Sequence, residues 1–194
     1  GLEVTKWLKE DDQLREILAQ RLNARGLDVD ASGILIVGGA QQGLDLLFRA
    51  LLDPGDNVLT EAPTYHLCLD LLAFHQARVV AMPVLPKSEP GLATIDVDGL
   101  LRVLERETPR VAYAMPSFQN PTGLSLDVAT RRSLARLLNE SGVPLIEDDY
   151  EADMRFGDAD LPLVASLAEA GEVVYLGTMS KALFPGLRVG WVAG

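Results

Sequence analysis

The chain has 194 residues, 48% hydrophobic and 23% charged, with a net charge of −11. That is the balance of an ordinary globular protein long enough for one sizeable domain with its own core. The acidic excess and the lack of any Lys/Arg-rich patch argue against nucleic-acid contact by this segment. The single cysteine, Cys68, excludes an internal disulfide and fits a reducing, cytoplasmic setting. His66 and His75 are the only histidines and lack zinc-site spacing. No apolar run is long enough to span a bilayer, and no signal peptide is visible.

In chain order, Leu14, Ile17, Leu18 and Leu22 recur at helical spacing, which predicts a helix from about Asp11 to Arg25. ILIV is a buried strand. Gly38 and Gly39 turn it into a helix from about Ala40 to Leu52, and DPGD ends that helix. NVLTE is the next strand, followed by a helix over Tyr65–His75 and a strand RVVAMPV. A Pro/Gly loop leads to a helix capped by Asp96 or Asp98 and running to about Glu107. RVAYAMP is a strand, SFQNPTG a loop, Asp127 to about Asn139 a helix and VPLIED a strand. A short helix near Leu163–Ala170 precedes EVVYLG, and RVGWVAG closes the chain.

Alternating strands and helices, with near-continuous apolar strands, imply an α/β fold: a three-layer αβα sandwich on a mostly parallel sheet. Ligands of such sheets bind beyond the carboxyl ends of the strands. The unusual loops here all follow strands: GGAQQG, EAPTY, PSFQNPTG, EDDYEAD and GTMSKALFPG. Their expected convergence on one edge is a stronger signal than any one motif.

Each loop has a plain reading and a chemical one. GGAQQG is equally compatible with a tight turn and with an anion site at a helix N-terminus. A dinucleotide site competes, with Glu61 placed like a ribose-binding acid, but Ala40 stands where that fingerprint needs glycine. Tyr65 is a half-buried tyrosine or a ring that stacks on a flat ligand. Asn120 belongs to an ordinary turn or offers its amide to a ligand oxygen. Asp148 and Asp149 cap a helix, bind a metal, or hold a buried cation, and Tyr150 can bond a phenolate. Thr178, Ser180 and Arg188 suit a phosphate, although Arg188 alone reads as a surface ion pair. Cys68, His66 and His75 read as packing or surface residues.

Lysines are scarce: Lys6, Lys9, Lys87 and Lys181. Lys181 alone sits between apolar strands, where desolvation would lower its pKa and make it a nucleophile. A buried ion pair or a packing accident would place it there equally well. One ligand suits all these groups together: a flat ring with a phosphate, a phenolate oxygen, a ring nitrogen and an aldehyde. That describes pyridoxal 5′-phosphate.

The motifs GGAQQGLDLL, LLDPGDNVLTEAPTY, PSFQNPTG, EDDY and SKALFPGLRVGW, in this order over about Leu14–Gly194, resemble the fold-type I pyridoxal-phosphate enzymes of the aspartate aminotransferase superfamily. EDDY followed by SKALFPGLRVG is similar to the aminotransferase-like domain of MocR-type GntR regulators. NPTG and EAPTY are equally similar to aminoadipate and kynurenine aminotransferases.

The resemblance implies roles by position. Lys181 would form the internal aldimine and shuttle a proton, Asp148 would pair with the pyridinium nitrogen, and Tyr65 would stack on the ring. Asn120 and Tyr150 would bond the phenolate oxygen. Ala40, Gln41, Thr178 or Ser180, and Arg188 would hold the phosphate. Many relatives carry tyrosine three residues after the aspartate, where this chain has Glu151. The resemblance also implies a seven-stranded sheet with an antiparallel last strand, a homodimer, and an amino acid and a 2-oxo acid as substrates, or an amino-acid effector. The chain is expected to be one cofactor-binding large domain over residues 1–194. It is also expected to be a piece of a longer protein whose small domain and N-terminal part lie outside it.

Overall fold

The computed structural model describes residues 2–150, 161–168 and 173–194. Helix α1 (Leu2–Ala24) leads into strand β1 (Ile34–Val37), and Gly39 begins α2 (Ala40–Leu51). Then follow β2 (Asn57–Glu61), α3 (His66–Phe74) and β3 (Arg78–Met82). Two short strands, β4 (Val84–Pro86) and β5 (Leu92–Ile95), precede α4 (Val97–Glu107) and β6 (Val111–Ala114). The rest is β7 (Ser125–Leu126), α5 (Val128–Glu140), β8 (Leu145–Asp148), α6 (Val164–Leu167), β9 (Val173–Thr178) and β10 (Gly190–Ala193).

The main sheet has seven strands in the order β1-β10-β9-β8-β6-β2-β3. β3, β2, β6, β8 and β9 run parallel, and β10 lies antiparallel to both β9 and β1. The α/β sandwich with an antiparallel last strand is therefore as expected.

Side-chain parity explains the layers. Val58, Tyr113, Ile146 and Leu176 point to one face and pack with Leu44 and Phe48 of α2 and with Cys68 and Leu72 of α3. Leu59, Ala112, Ala114 and Leu145 point to the other face and meet α4, α5 and α6. Leu18 and Leu22 of α1 cover Ile34, Tyr175 and Trp191. Fully burying one such Leu or Phe side chain stabilises by about 1.5–3 kcal/mol.

Three expectations change. α1 begins at Leu2, earlier than the apolar periodicity marks. RVVAMPV is two strands, because the chain leaves the main sheet at Pro83 and Val84–Pro86 joins a second sheet. Apart from Val84, that second sheet, ordered β4-β5-β7, reads outside any strand in the sequence because its strands are only two to four residues long. Asp96 is the α4 cap, accepting from Gly99 N at 3.0 Å. The helix expected near Leu163–Ala170 is α6, and the end of that reading lies outside the described residues. No helix among the described residues is long and apolar enough to cross a membrane.

Candidate active site

Five strand-end loops meet at the carboxyl edge of the sheet, around a cavity of about 560 Å³. Ala40 and Gln41 come from the start of α2, and Tyr65 from the residue before α3. Asn120 follows β6, Asp148 ends β8 and Tyr150 follows it. Thr178 ends β9, and Ser180, Lys181 and Arg188 lie in the loop to β10. All ten residues singled out from the sequence line this one space. Glu151, the departure from the family pattern, lies outside the described residues.

One corner is built for an anion. Gly39 has φ 100°, a left-handed conformation that glycine tolerates, and it turns the chain from β1 into α2. The first N–H groups of a helix have no partner within it and carry the positive end of its dipole. A Cβ on Gly39 would sit 3.2 Å from the Arg188 guanidinium, and one on Gly190 would sit 2.7 Å from the Gly39 carbonyl carbon. The two loops can approach this closely because Gly190 lacks a side chain, and any Cβ at Gly39 would press on Arg188. Arg188 Nη2 donates to Gly38 O at 2.8 Å, a backbone contact rather than the surface ion pair that the residue alone allowed. Thr178 Oγ1 accepts from Ser180 N at 3.2 Å and lies 3.0 Å from Ser180 Oγ, so both hydroxyls stand on the same side of the cavity.

The opposite chemistry sits at β8. Asp148 is 4% exposed. Its Oδ2 accepts from Tyr113 OH at 2.7 Å, while its Oδ1 is buried with no partner among the described residues. Tyr113 reaches it because Tyr113 is level with Ile146 in the adjacent strand, so the two side chains share a face. Burial pushes Asp148 up to about 7, the Tyr113 bond opposes this, and nearby Asp149 adds to it. An unpartnered buried carboxylate oxygen facing a cavity is a site for a cationic or proton-bearing group.

The remaining walls are specific. Tyr65 is half-buried, and burial raises its phenol above the usual range. Tyr150 OH donates to Phe118 O at 3.0 Å. Lys181 lies exposed at the cavity, so the desolvation expected from its flanking strands is not found. The strands are buried, but the turn between them projects beyond the sheet edge.

Glu61 is not placed as a ribose ligand, because its Oε2 accepts from Met115 N at 2.9 Å in the interior. Of the residues set aside, Cys68 is buried, His75 Nε2 lies 2.9 Å from Asp45, and His66 packs edge-on against Tyr65.

Sequence reasoning missed Tyr113, Gln119 and Arg131. Gln119 is buried and crosses between two loops. Arg131 is fully buried and donates to the carbonyls of Leu126, Pro116 and Pro162 and to Ser117 Oγ, which fixes the loop after β6. A polar-tipped residue inside an apolar strand was the one available signal for Tyr113.

The family model for aminotransferase class I and II matches residues 8–194. The chain belongs to that family. The 2-aminoadipate transaminase of Thermus thermophilus is 41% identical over 169 residues, covering 86% of this chain and 41% of that one. The probable rhizopine catabolism regulatory protein MocR of Rhizobium meliloti is 31% identical over 187 residues, covering 96% of this chain and 36% of that one. Among solved structures, the α-aminoadipate aminotransferase LysN of T. thermophilus, complexed with N-(5′-phosphopyridoxyl)-L-leucine, superposes with TM-score 0.81 at 39% identity. It covers 93% of this chain and 44% of that one. This aminotransferase-family chain thus spans less than half the length of these relatives, which include both enzymes and a regulator. Its fold is that of the fold-type I aminotransferases.

Proposed function

We propose that this chain is the pyridoxal-phosphate-binding large domain of an aminotransferase that moves an amino group between an amino acid and a 2-oxo acid. The observation that carries the reading is one cavity with a partnerless, buried Asp148 oxygen and, in the same lining, an anion cradle and Lys181. The residues fit the cofactor. Asp148 Oδ1 matches a protonated ring nitrogen, and the Gly39–Arg188 corner with Thr178 and Ser180 matches a phosphate.

Bound here, pyridoxal phosphate supplies an electron-withdrawing ring for chemistry at the substrate's Cα. Asp148 would hold the proton on the ring nitrogen, and Tyr65 would stack on the ring. Asn120 and Tyr150 would bond the phenolate side, with Tyr150 sharing its bond to Phe118. Ala40 and Gln41, Thr178, Ser180 and Arg188 hold the phosphate. Lys181, which lines the same cavity, would be the residue that holds the cofactor's aldehyde end and the base that would move a proton at the substrate's Cα. A cytoplasmic homodimer of the full-length protein belongs to this reading, and sedimentation checks the dimer.

Borohydride reduction of the protein mixed with pyridoxal phosphate, followed by peptide mass mapping, is expected to place one cofactor on Lys181. Lys181→Ala is expected to lose both the adduct and amino-group transfer. An undiminished adduct in Lys181→Ala would remove the assignment.

A second reading, a sensor domain of a MocR-type regulator, is supported by the similarity to the R. meliloti protein. Full-length protein incubated with amino acids and a 2-oxo acid separates the two. Turnover to a new 2-oxo acid favours the enzyme. A cofactor absorbance change without turnover favours the sensor.

A further inference from the structure

Two neighbouring loops reach the cavity: the one from the end of β2 at Glu61 to Tyr65, and Met115–Gly123 after β6, the strand paired with β2. Each sends one side chain to the other. Glu61 Oε2 accepts from Met115 N at 2.9 Å. Gln119 Nε2 donates back to Pro63 O at 2.7 Å and also to Asn120 O at 3.0 Å. Gln119 Oε1 closes its own loop by accepting from Thr122 N at 3.1 Å and from Thr122 Oγ1 at 2.6 Å.

Both side chains are buried, at 3% and 5% exposure, so these bonds form away from competing water. A smaller cavity of about 280 Å³ lies behind them, walled by Val84, Leu124 and Leu126. Glu61 and Gln119 thus form a clamp of hydrogen bonds between the two loops, with that space on its far side.

We infer that Glu61 and Gln119 are a reciprocal pair of positioning residues that fix the loops carrying Tyr65 and Asn120 relative to one another, and so place both side chains for the ligand. The inference rests on the cofactor reading above. Gln119 sits beside Asn120 and grips the residue two before Tyr65, so losing it loosens both loops at once. Glu61 needs only to present an acceptor. Burial pushes it up to about 8, opposed by the Met115 N–H and with Asp148 adding to the rise, so its carboxyl is largely neutral at neutral pH. A glutamine carbonyl can replace it.

The test is a double-mutant cycle on pyridoxal phosphate affinity, read by absorbance titration, with thermal unfolding measured in parallel. Gln119→Met keeps the side-chain length and removes donor and acceptor. It is expected to weaken binding about tenfold, the effect of one or two lost hydrogen bonds. Asn120→Ala also weakens binding. The double variant is expected to lose clearly less than the product of the two, because Gln119 acts partly through Asn120. Unchanged affinity in Gln119→Met, or full multiplicativity, overturns the inference. If Gln119→Met does not fold, Gln119→Leu is read in the same way, since it too removes both donor and acceptor at similar volume.

Glu61→Gln is expected to stay within about threefold of wild type, and Glu61→Ala to fall about tenfold. An equal loss in both overturns the acceptor role. Wild-type protein that forms no adduct at Lys181 counts against the cofactor reading, and the clamp falls with it. A normal wild-type adduct with indifferent Gln119 variants sinks the clamp alone.

Discussion

Asp148 is held by one oxygen and open at the other. Tyr113 takes Oδ2 and fixes the carboxyl plane, and Oδ1 is left for whatever enters the cavity. The Tyr113 hydroxyl also lowers Asp148 against the burial that raises it, so it keeps the carboxylate available as an anion near neutral pH. Tyr113→Phe keeps the ring and removes that bond. It is expected to raise Asp148 further and weaken pyridoxal phosphate binding about tenfold near neutral pH, the size of one charge-assisted hydrogen bond. Absorbance titrations across pH check this, and wild-type affinity in the variant would refute it. Asp148 and Lys181 were legible in the sequence because strand ends and a scarce residue type mark them. Tyr113 was not, because its role depends on a neighbouring strand 35 positions away.

At the scale of elements, the last two residues of β8 and the one after it are three consecutive buried acids with separate uses. Glu147 accepts from the N–H groups of Val164 and Ala165, both at 2.9 Å, at the start of α6. Asp148 faces the cavity. Asp149 Oδ2 accepts from Arg25 Nη1 at 2.6 Å and from Tyr175 OH at 3.1 Å, tying the end of α1 to β9. Alternating strand parity sends neighbouring acids to different layers, which a cluster of acidic letters does not reveal. Arg25→Met leaves Asp149 buried without its cation. Removing one partner of a buried pair costs roughly 3–5 kcal/mol, so a clear drop in stability against urea is expected. The borohydride adduct at Lys181 should persist in the folded variant. A loss below 1 kcal/mol, on the order of a surface ion pair, would show that the pair contributes little. The long strands and helices were legible from periodicity. The β4-β5-β7 sheet was not, because strands of two to four residues carry no period and Pro86, Pro90 and Gly91 mask them as loop.

For the whole molecule, the candidate site is a consequence of topology. Parallel strands bring every carboxyl end to one edge, so five loops far apart in sequence become one lining. That convergence was readable from element order alone, whereas the exposure of Lys181 was not, since it depends on how far the turn projects. The same edge gathers buried acids, and this has a consequence for stability. Burial raises Glu61 to about 8, Glu147 to about 7 and Asp148 to about 7. In the unfolded chain such groups ionise near pH 4. Between those limits the folded protein keeps protons that the unfolded chain has released, so stability falls as pH rises. The contribution is fully present below about pH 4 and lost by about pH 8. Asp127 acts in a different window: its burial is outweighed by its bonds to Lys87 and Thr130, which bring it down to about 2. The thermal midpoint of cofactor-free protein is therefore expected to decline from pH 4 to pH 8. Self-repulsion of a chain with net charge −11 pushes the same way, so the comparison that decides is between variants. Glu147→Gln removes one buried acid and should flatten the decline, while Glu105→Gln, an exposed residue on α4, removes the same charge and should leave the slope nearly unchanged. Equal slopes in the two variants would assign the pH dependence to net charge and not to the buried acids of β8.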